Sequence, residues 1–100
     1  MPETIEKPTT DTNLTPAREG AVLVWNSDFV AFHGVIDILA QVFALSVEDA
    51  TKIAIAAHTH DKAEVKRYAS LDLAETMALR AASFAVQSGW PDLKFTAEIV

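Results

Sequence analysis

Residues 93–99 read LKFTAEI: Leu93, Phe95, Ala97 and Ile99 alternate with Lys94, Thr96 and Glu98. Alternation with a period of two is the mark of a strand with one buried face. One half-buried strand cannot fold alone. It needs partner strands at its edges and something apolar over its inner face. The rest of the chain must supply both.

It does so in order. Residues 21–25, AVLVW, form an apolar run that predicts a buried strand. From about Phe32 the period changes. Val35, Ile38, Leu39, Val42 and Phe43 fall at i, i+3, i+4, i+7 and i+8, one face of a helix. A second helix starts at Ser46. Ser46 and Asp49 are spaced as a capping box, and Leu45 and Ala50 are placed for a hydrophobic staple. Ala50, Ile53, Ala54 and Ala57 give that helix a stripe of mostly small residues. Residues 63–68, AEVKRY, interleave β-branched and aromatic residues with charges and predict an exposed strand. Ser70 is a good N-cap for a third helix, with Asp72 in its first turn. Ala74, Met77, Ala78, Ala81 and Ala85 form the stripe of that helix, and Gly89 with Trp90-Pro91 ends it. The expected fold class is α+β. A three-stranded antiparallel sheet packs against three helices in the order β-α-α-β-α-β.

Residues 1–20 carry three of the four prolines and five threonines, with few large apolar side chains. Such a segment buries too little surface to offset its ordering entropy. The expected organisation is a flexible, disordered N-terminal extension over 1–20 and one domain over 21–100. A monomer is expected.

Composition narrows the function. The net charge of −6 argues against a nucleic-acid partner, because phosphate binding rests on Lys and Arg. It is compatible with basic or amine-bearing ligands. No apolar run approaches the roughly 18–20 residues of a membrane span, and no secretion or import signal opens the chain. Cysteine is absent, so disulfides and thiolate metal sites are excluded and a cytoplasmic location is allowed. There is no Gly-rich phosphate loop, no Gly-x-Ser-x-Gly elbow and no cysteine nucleophile. No motif supports a reaction class, so an enzyme is not expected, and no cofactor is implied. His58-x-His60 could pair on a metal, with His33 or Asp61 as third ligand. Histidines at a helix C-terminus are also favourable for the helix dipole alone, and no metal site is expected.

One cluster stands out. The strand ending in Trp25 runs directly into Asn26, Ser27 and Asp28, and apolar residues then resume with Phe29 and Val30. Such residues are ordinary turn formers, because their side chains bond nearby backbone. Asp28 could also cap the next helix, and Phe29 and Phe32 could be core.

Taken together, these residues resemble the ClpS family, the adaptors that recognise N-terminal degrons for Clp proteases. The strand running into VWNSDF is similar to the family's polar turn. VIDILAQVFALSVEDATKIAIAAH, residues 35–58, follows the family's two-helix pattern through its closing histidine without a gap. AET at 74–76 recurs in the third helix, and WPDLKFTAE resembles the final strand with one extra residue. The likeness covers about 80 residues.

The resemblance implies a site. Asn26, Ser27, Asp28 and His58 match the set that holds the free α-amino group and first peptide unit of a substrate. Val30, Phe32, Val35, Ala54, Ala57 and Leu93 match the pocket for its first side chain. The implied partners are N-degron peptides or proteins beginning with Leu, Phe, Tyr or Trp, and the N-terminal domain of a ClpA- or ClpC-type AAA+ unfoldase. The chain also departs from the family. Ser27 stands where an acidic residue is usual, and Val30-Ala31 where a Thr-Pro pair is common. Phe32 and Ala54 replace methionines, and Ala57 replaces a valine. Met77 stands where a lysine is common in the helix that meets the unfoldase, and Asp61 replaces a glycine. A second reading is therefore an interaction domain of this fold that has lost or altered degron binding and holds or inhibits a protein partner.

Overall fold

A computed structural model describes residues 18–100. The expected extension over 1–20 lies outside the described residues except for its last three. Arg18 and Glu19 already bond to the domain, their carbonyls accepting from the Leu71 and Val100 amides at 2.9 and 3.1 Å.

Six elements follow one another. They are β1 (Gly20–Trp25), α1 (Phe32–Phe43), α2 (Val47–His60), β2 (Lys62–Tyr68), α3 (Leu71–Gln87) and β3 (Phe95–Ile99). The expected β-α-α-β-α-β order is found. The three strands form one antiparallel sheet in the order β2-β1-β3. The central strand is therefore the apolar AVLVW run, which has no polar residue to offer solvent.

Alternation divides that strand between two faces. Val22 and Val24 are fully buried and join Phe95 and Val65 in the core with Ile38, Leu39 and Phe43 of α1. Leu23 and Trp25 turn to the opposite face, where the Trp25 indole Nε1–H donates to Thr96 Oγ1 at 2.8 Å. Between Val22 and Leu23 the pairing with β2 slips by one residue, leaving Val65 unopposed. This bulge explains how a strand as charged as KAEVKRY still places Val65 inside.

The alanine stripe of α3 serves close packing. Ala74, Ala78, Ala81 and Ala85 are all buried, so the helix lies low over the sheet. A Cβ added at Gly20 would come within 2.7 Å of the Leu71 backbone. The caps are as expected for α2 and α3. Ser46 Oγ accepts from the Asp49 amide at 3.0 Å, and Ser70 Oγ from the Leu73 amide at 3.2 Å.

Two details of β3 differ from expectation. The paired strand starts at Phe95, so Leu93 lies before it in the connection, although it is buried. Ile99 is 47% exposed, at the last position of an edge strand with a neighbour on one side only. The period-2 pattern reports a face, and only the surroundings decide how far along the strand that face stays dry.

Helix α1 ends on Ala44 in the left-handed conformation, at φ 55° and ψ 37°. This geometry crowds a Cβ against its own carbonyl and is usually given to glycine. Ala44 is exposed, so its methyl packs against nothing that would compensate. Ala44→Gly is expected to raise stability by about 0.5–1 kcal/mol, seen as a rise of a few degrees in Tm by circular dichroism. A fall in Tm would show that the methyl contributes more than the strain it causes.

Candidate functional site

The Asn26-Ser27-Asp28 turn is tied to the end of α2. The Asn26 amide donates to the Asp61 carbonyl at 2.7 Å, one residue past His60. Asp61 is in the left-handed region at φ 72°, a conformation that Asp tolerates better than most residues. This bond continues the β1–β2 ladder one step past the Trp25–Lys62 pair, so the ladder brings the polar turn to the end of α2. The turn then closes on itself, the Val30 amide donating to the Ser27 carbonyl at 3.5 Å.

Helical spacing supplies the other wall. Ala54, Ala57 and His58 stand at i, i+3 and i+4, one face of α2, and Phe32 and Val35 stand three apart on α1. Where the turn and these faces meet there is a cleft of about 270 Å³. Trp25, Asn26, Ser27, Asp28, Val30, Phe32, Val35, Ala54, Ala57 and His58 line it. Val30, Ala54 and Ala57 are buried within it, Phe32 is 43% exposed, and Phe29 beside it is 80% exposed. The volume lies at or below the ~300–1,000 Å³ of drug-sized pockets. It suits one amino-acid residue better than a nucleotide or large cofactor.

Nine of the ten residues expected to form a site therefore line one cleft. The exception is Leu93. It does not line the cleft, and its side chain belongs to the buried core with Phe95. Trp25 lines the cleft and is not among the expected residues. Its place as the last apolar residue before the polar turn is the available signal.

Hydrogen bonding separates the polar residues. Ser27 Oγ accepts from the Phe29 amide at 3.2 Å, an ordinary turn contact. The turn-former reading accounts for Ser27 and stops there. Among the described residues, no protein group hydrogen-bonds the side chains of Asn26, Asp28 or His58. Asp28 does not cap α1, whose N-cap is Ala31 with no side-chain bond. An amide oxygen, a carboxylate and an imidazole thus line a cleft of mixed polar and apolar surface, with no described protein group using their acceptor capacity. Such a set accepts hydrogen bonds from a cationic donor.

Two other depressions are larger. One of about 410 Å³ lies between α3 and β3, and one of about 480 Å³ lies along α3. The first has a single ionisable residue, Glu75, and the second a single one, Arg80, so neither gathers complementary polar groups. The smaller cleft is the better site because its chemistry converges. Among the described residues no three His, Asp or Glu side chains are grouped to hold a metal, so the His58-x-His60 pair finds no third ligand. Among the same residues no helix is long and apolar enough to cross a membrane.

Residues 15–96 match the family model of the ATP-dependent Clp protease adaptor protein ClpS. This chain belongs to the ClpS family. A solved ClpS2 of Agrobacterium tumefaciens, bound to L-phenylalaninamide, is similar in structure at a TM-score of 0.76 and 29% identity. The match covers 83% of this chain and 98% of that one. ClpS is a family of protease adaptors rather than of enzymes, which fits a chain whose cleft gathers binding groups. Within this ClpS domain two small side chains, Ala54 and Ala57, form the α2 wall of the cleft.

Proposed function

We propose that this chain is an N-degron adaptor. It binds the free α-amino group and large apolar first side chain of a substrate and delivers that substrate to a Clp AAA+ protease. The observation that carries the proposal is the set of Asn26, Asp28 and His58, whose side chains bond no described protein group, in a cleft of single-residue size that also has apolar walls. An α-ammonium offers three donors and a positive charge, since its pKa of about 7.7–8 keeps it mostly protonated at neutral pH. Amide oxygen, carboxylate and imidazole nitrogen are its acceptors. Phenylalaninamide, the ligand of the Agrobacterium relative, has this chemistry: a free α-amine, a benzyl side chain and one amide.

Discrimination follows from what an unsuitable peptide leaves undone. An acetylated or internal residue brings no ammonium, so acceptors enclosed by the peptide stay unpaired at about 1–3 kcal/mol each. The side-chain pocket is open where Ala54 and Ala57 stand and walled by Phe32, a ring less adaptable than methionine. Leu, Phe, Tyr and Trp are the first residues it takes. Delivery runs through α3, whose early positions Asp72, Leu73, Glu75 and Thr76 are exposed and available to an unfoldase N-terminal domain.

The test is fluorescence anisotropy of labelled peptides beginning with Leu, Phe, Trp, Tyr, Val or Ala, each with a free or acetylated amine. The large apolar set should bind and acetylation should abolish binding. His58→Ala should weaken it, and binding should fall as pH rises past about 8, where the peptide amine loses its proton. Equal affinity for Ala-first and Phe-first peptides, or indifference to acetylation, overturns the proposal. In that event the domain is a ClpS-like module that holds a protein partner by another surface.

A further inference from the structure

The two outer strands of the sheet end it differently. The β2 edge is interrupted by the bulge at Val65 and carries Lys62, Glu64, Lys66 and Arg67, features that discourage a further strand. The β3 edge has no bulge. Its register with β1 is regular from Phe95 to Ile99, and no proline breaks FTAEI.

Backbone bonds at both ends of β3 fix which of its groups face outward. The Trp25 amide donates to the Lys94 carbonyl at 3.0 Å, and the Val100 amide donates to the Glu19 carbonyl at 3.1 Å. Hydrogen bonding alternates along an antiparallel pair, so the even-numbered residues from Lys94 to Val100 turn their backbone groups toward β1. Phe95, Ala97 and Ile99 turn theirs away. Among the described residues no backbone group meets these three on that side. Side chains alternate as well. Phe95 and Ala97 pack with the core on the helix side. Lys94, Thr96 and Glu98 stand on the other face, where Thr96 holds the Trp25 indole and Lys94 Nζ lies 4.8 Å from its ring. Beside β3 on the helix side is the depression of about 410 Å³, lined in part by Leu79 of α3, which is 73% exposed.

We infer that the β3 edge pairs with the β3 edge of a second copy of this chain, antiparallel and with the two-fold axis at Thr96. About that axis Phe95 meets Ala97 of the other copy. Both turn their N–H and C=O outward, so they exchange hydrogen bonds without disturbing the β1 ladder. Thr96 meets Thr96, and Lys94 stands opposite Glu98, twice by symmetry. The segment KFTAE is thus complementary to its own reverse, with an ammonium against a carboxylate at each end. Moving the axis to Ala97 keeps the backbone match but sets Lys94 opposite Val100 and loses both charge pairs, so charge selects the register. Neither Lys94 nor Glu98 has an ion-pair partner among the described residues. The axis is normal to the sheet, so both helix layers lie on one side and the groove of each copy faces the seam. Leu79 is then covered. No residue of β3 lines the degron cleft, so the pairing does not draw on the groups that form it.

The test is sedimentation equilibrium of the full chain over a range of roughly 1–500 µM. A pairing of five residues lies at the small end of interface sizes, so the dimer should form with a midpoint of roughly 10–100 µM. The mass should rise there from 10.9 kDa toward twice that value, the expected monomer being the dilute form. Lys94→Glu alone and Glu98→Lys alone each set like charges opposite one another and should weaken association by about tenfold or more, with circular dichroism unchanged. An equimolar mixture of these two variants should associate about as well as wild type, because every opposed pair then differs in sign. Ala97→Pro removes an outward N–H at a place where an edge strand tolerates proline, and it should abolish association. A wild-type chain that stays at 10.9 kDa throughout overturns the inference. A dimer left unchanged by the single variants or by Ala97→Pro overturns it too, since another surface then holds it. So does a mixture that associates no better than its components.

Discussion

Asp28→Asn is expected to weaken binding of a free-amine, Phe-first peptide at least tenfold and to erase most of the preference over its acetylated form. The substitution keeps the shape and one acceptor oxygen and removes only the negative charge. Hydrogen bonds to charged groups are worth about 1.5–3 kcal/mol, and 1.4 kcal/mol is a factor of ten. Asp28 is exposed, and its side chain bonds to no other described side chain or backbone group, so its charge supports no part of the fold. Tm should therefore be unchanged while affinity falls, which separates recognition from stability in one variant. Because the carboxylate is solvent-accessible in the free protein, part of the effect should be screened by salt. If the Asp28→Asn protein still prefers free over acetylated amines by the wild-type margin, Asp28 is not part of the site.

The largest stability effect expected is at Gly34. A Cβ there would lie 2.5 Å from Trp90 Cε2 and 2.6 Å from Nε1, inside any normal contact. The indole has little freedom to retreat. Its backbone amide donates to the Ala85 carbonyl at 2.8 Å, and its ring meets His33 edge-on with centroids 5.7 Å apart. Gly34→Ala would regain about 1 kcal/mol of helix propensity against this clash. Gly34→Val regains less and hangs two methyl groups on that Cβ, so a net loss of about 2–3 kcal/mol is expected. That corresponds to a fall in Tm of roughly 8 °C or more for a domain of this size. The same variant should disturb peptide binding, since Gly34 lies between Phe32 and Val35 on α1. Placing Gly34→Val in a Trp90→Ala background should remove most of its cost. If the cost is the same in both backgrounds, the ring is not what holds that position to glycine.

Much of this architecture is legible in the residues. The strand and helix order follows from periods of two and 3.6, and the caps at Ser46 and Ser70 from side-chain oxygens placed to meet free amides. Nine of the residues that line the cleft are legible through the family's turn and helix pattern. Leu93 is not. Its alternation with Phe95 correctly reports a buried side chain, but burial alone cannot distinguish a core from a pocket wall. Trp25 escapes a reading of the residues because an apolar side chain at the end of a buried strand looks like more core.

Local chemistry by itself determined the elements: side-chain spacing selects helix or strand, and Ser, Gly and Pro mark their ends. It also determined that Asn26, Ser27 and Asp28 would make a turn. Tertiary structure alone decided which of the three was spent on that turn. Ser27 bonds the Phe29 amide, and Asn26 and Asp28 do not share that fate. It also decided that His58 lines the same cleft, because the β1–β2 pairing carries the end of α2 to the turn after Trp25. The physical reason is that spacing fixes only neighbours within a few residues. Whether a polar group finds a partner depends on segments that meet across the whole chain.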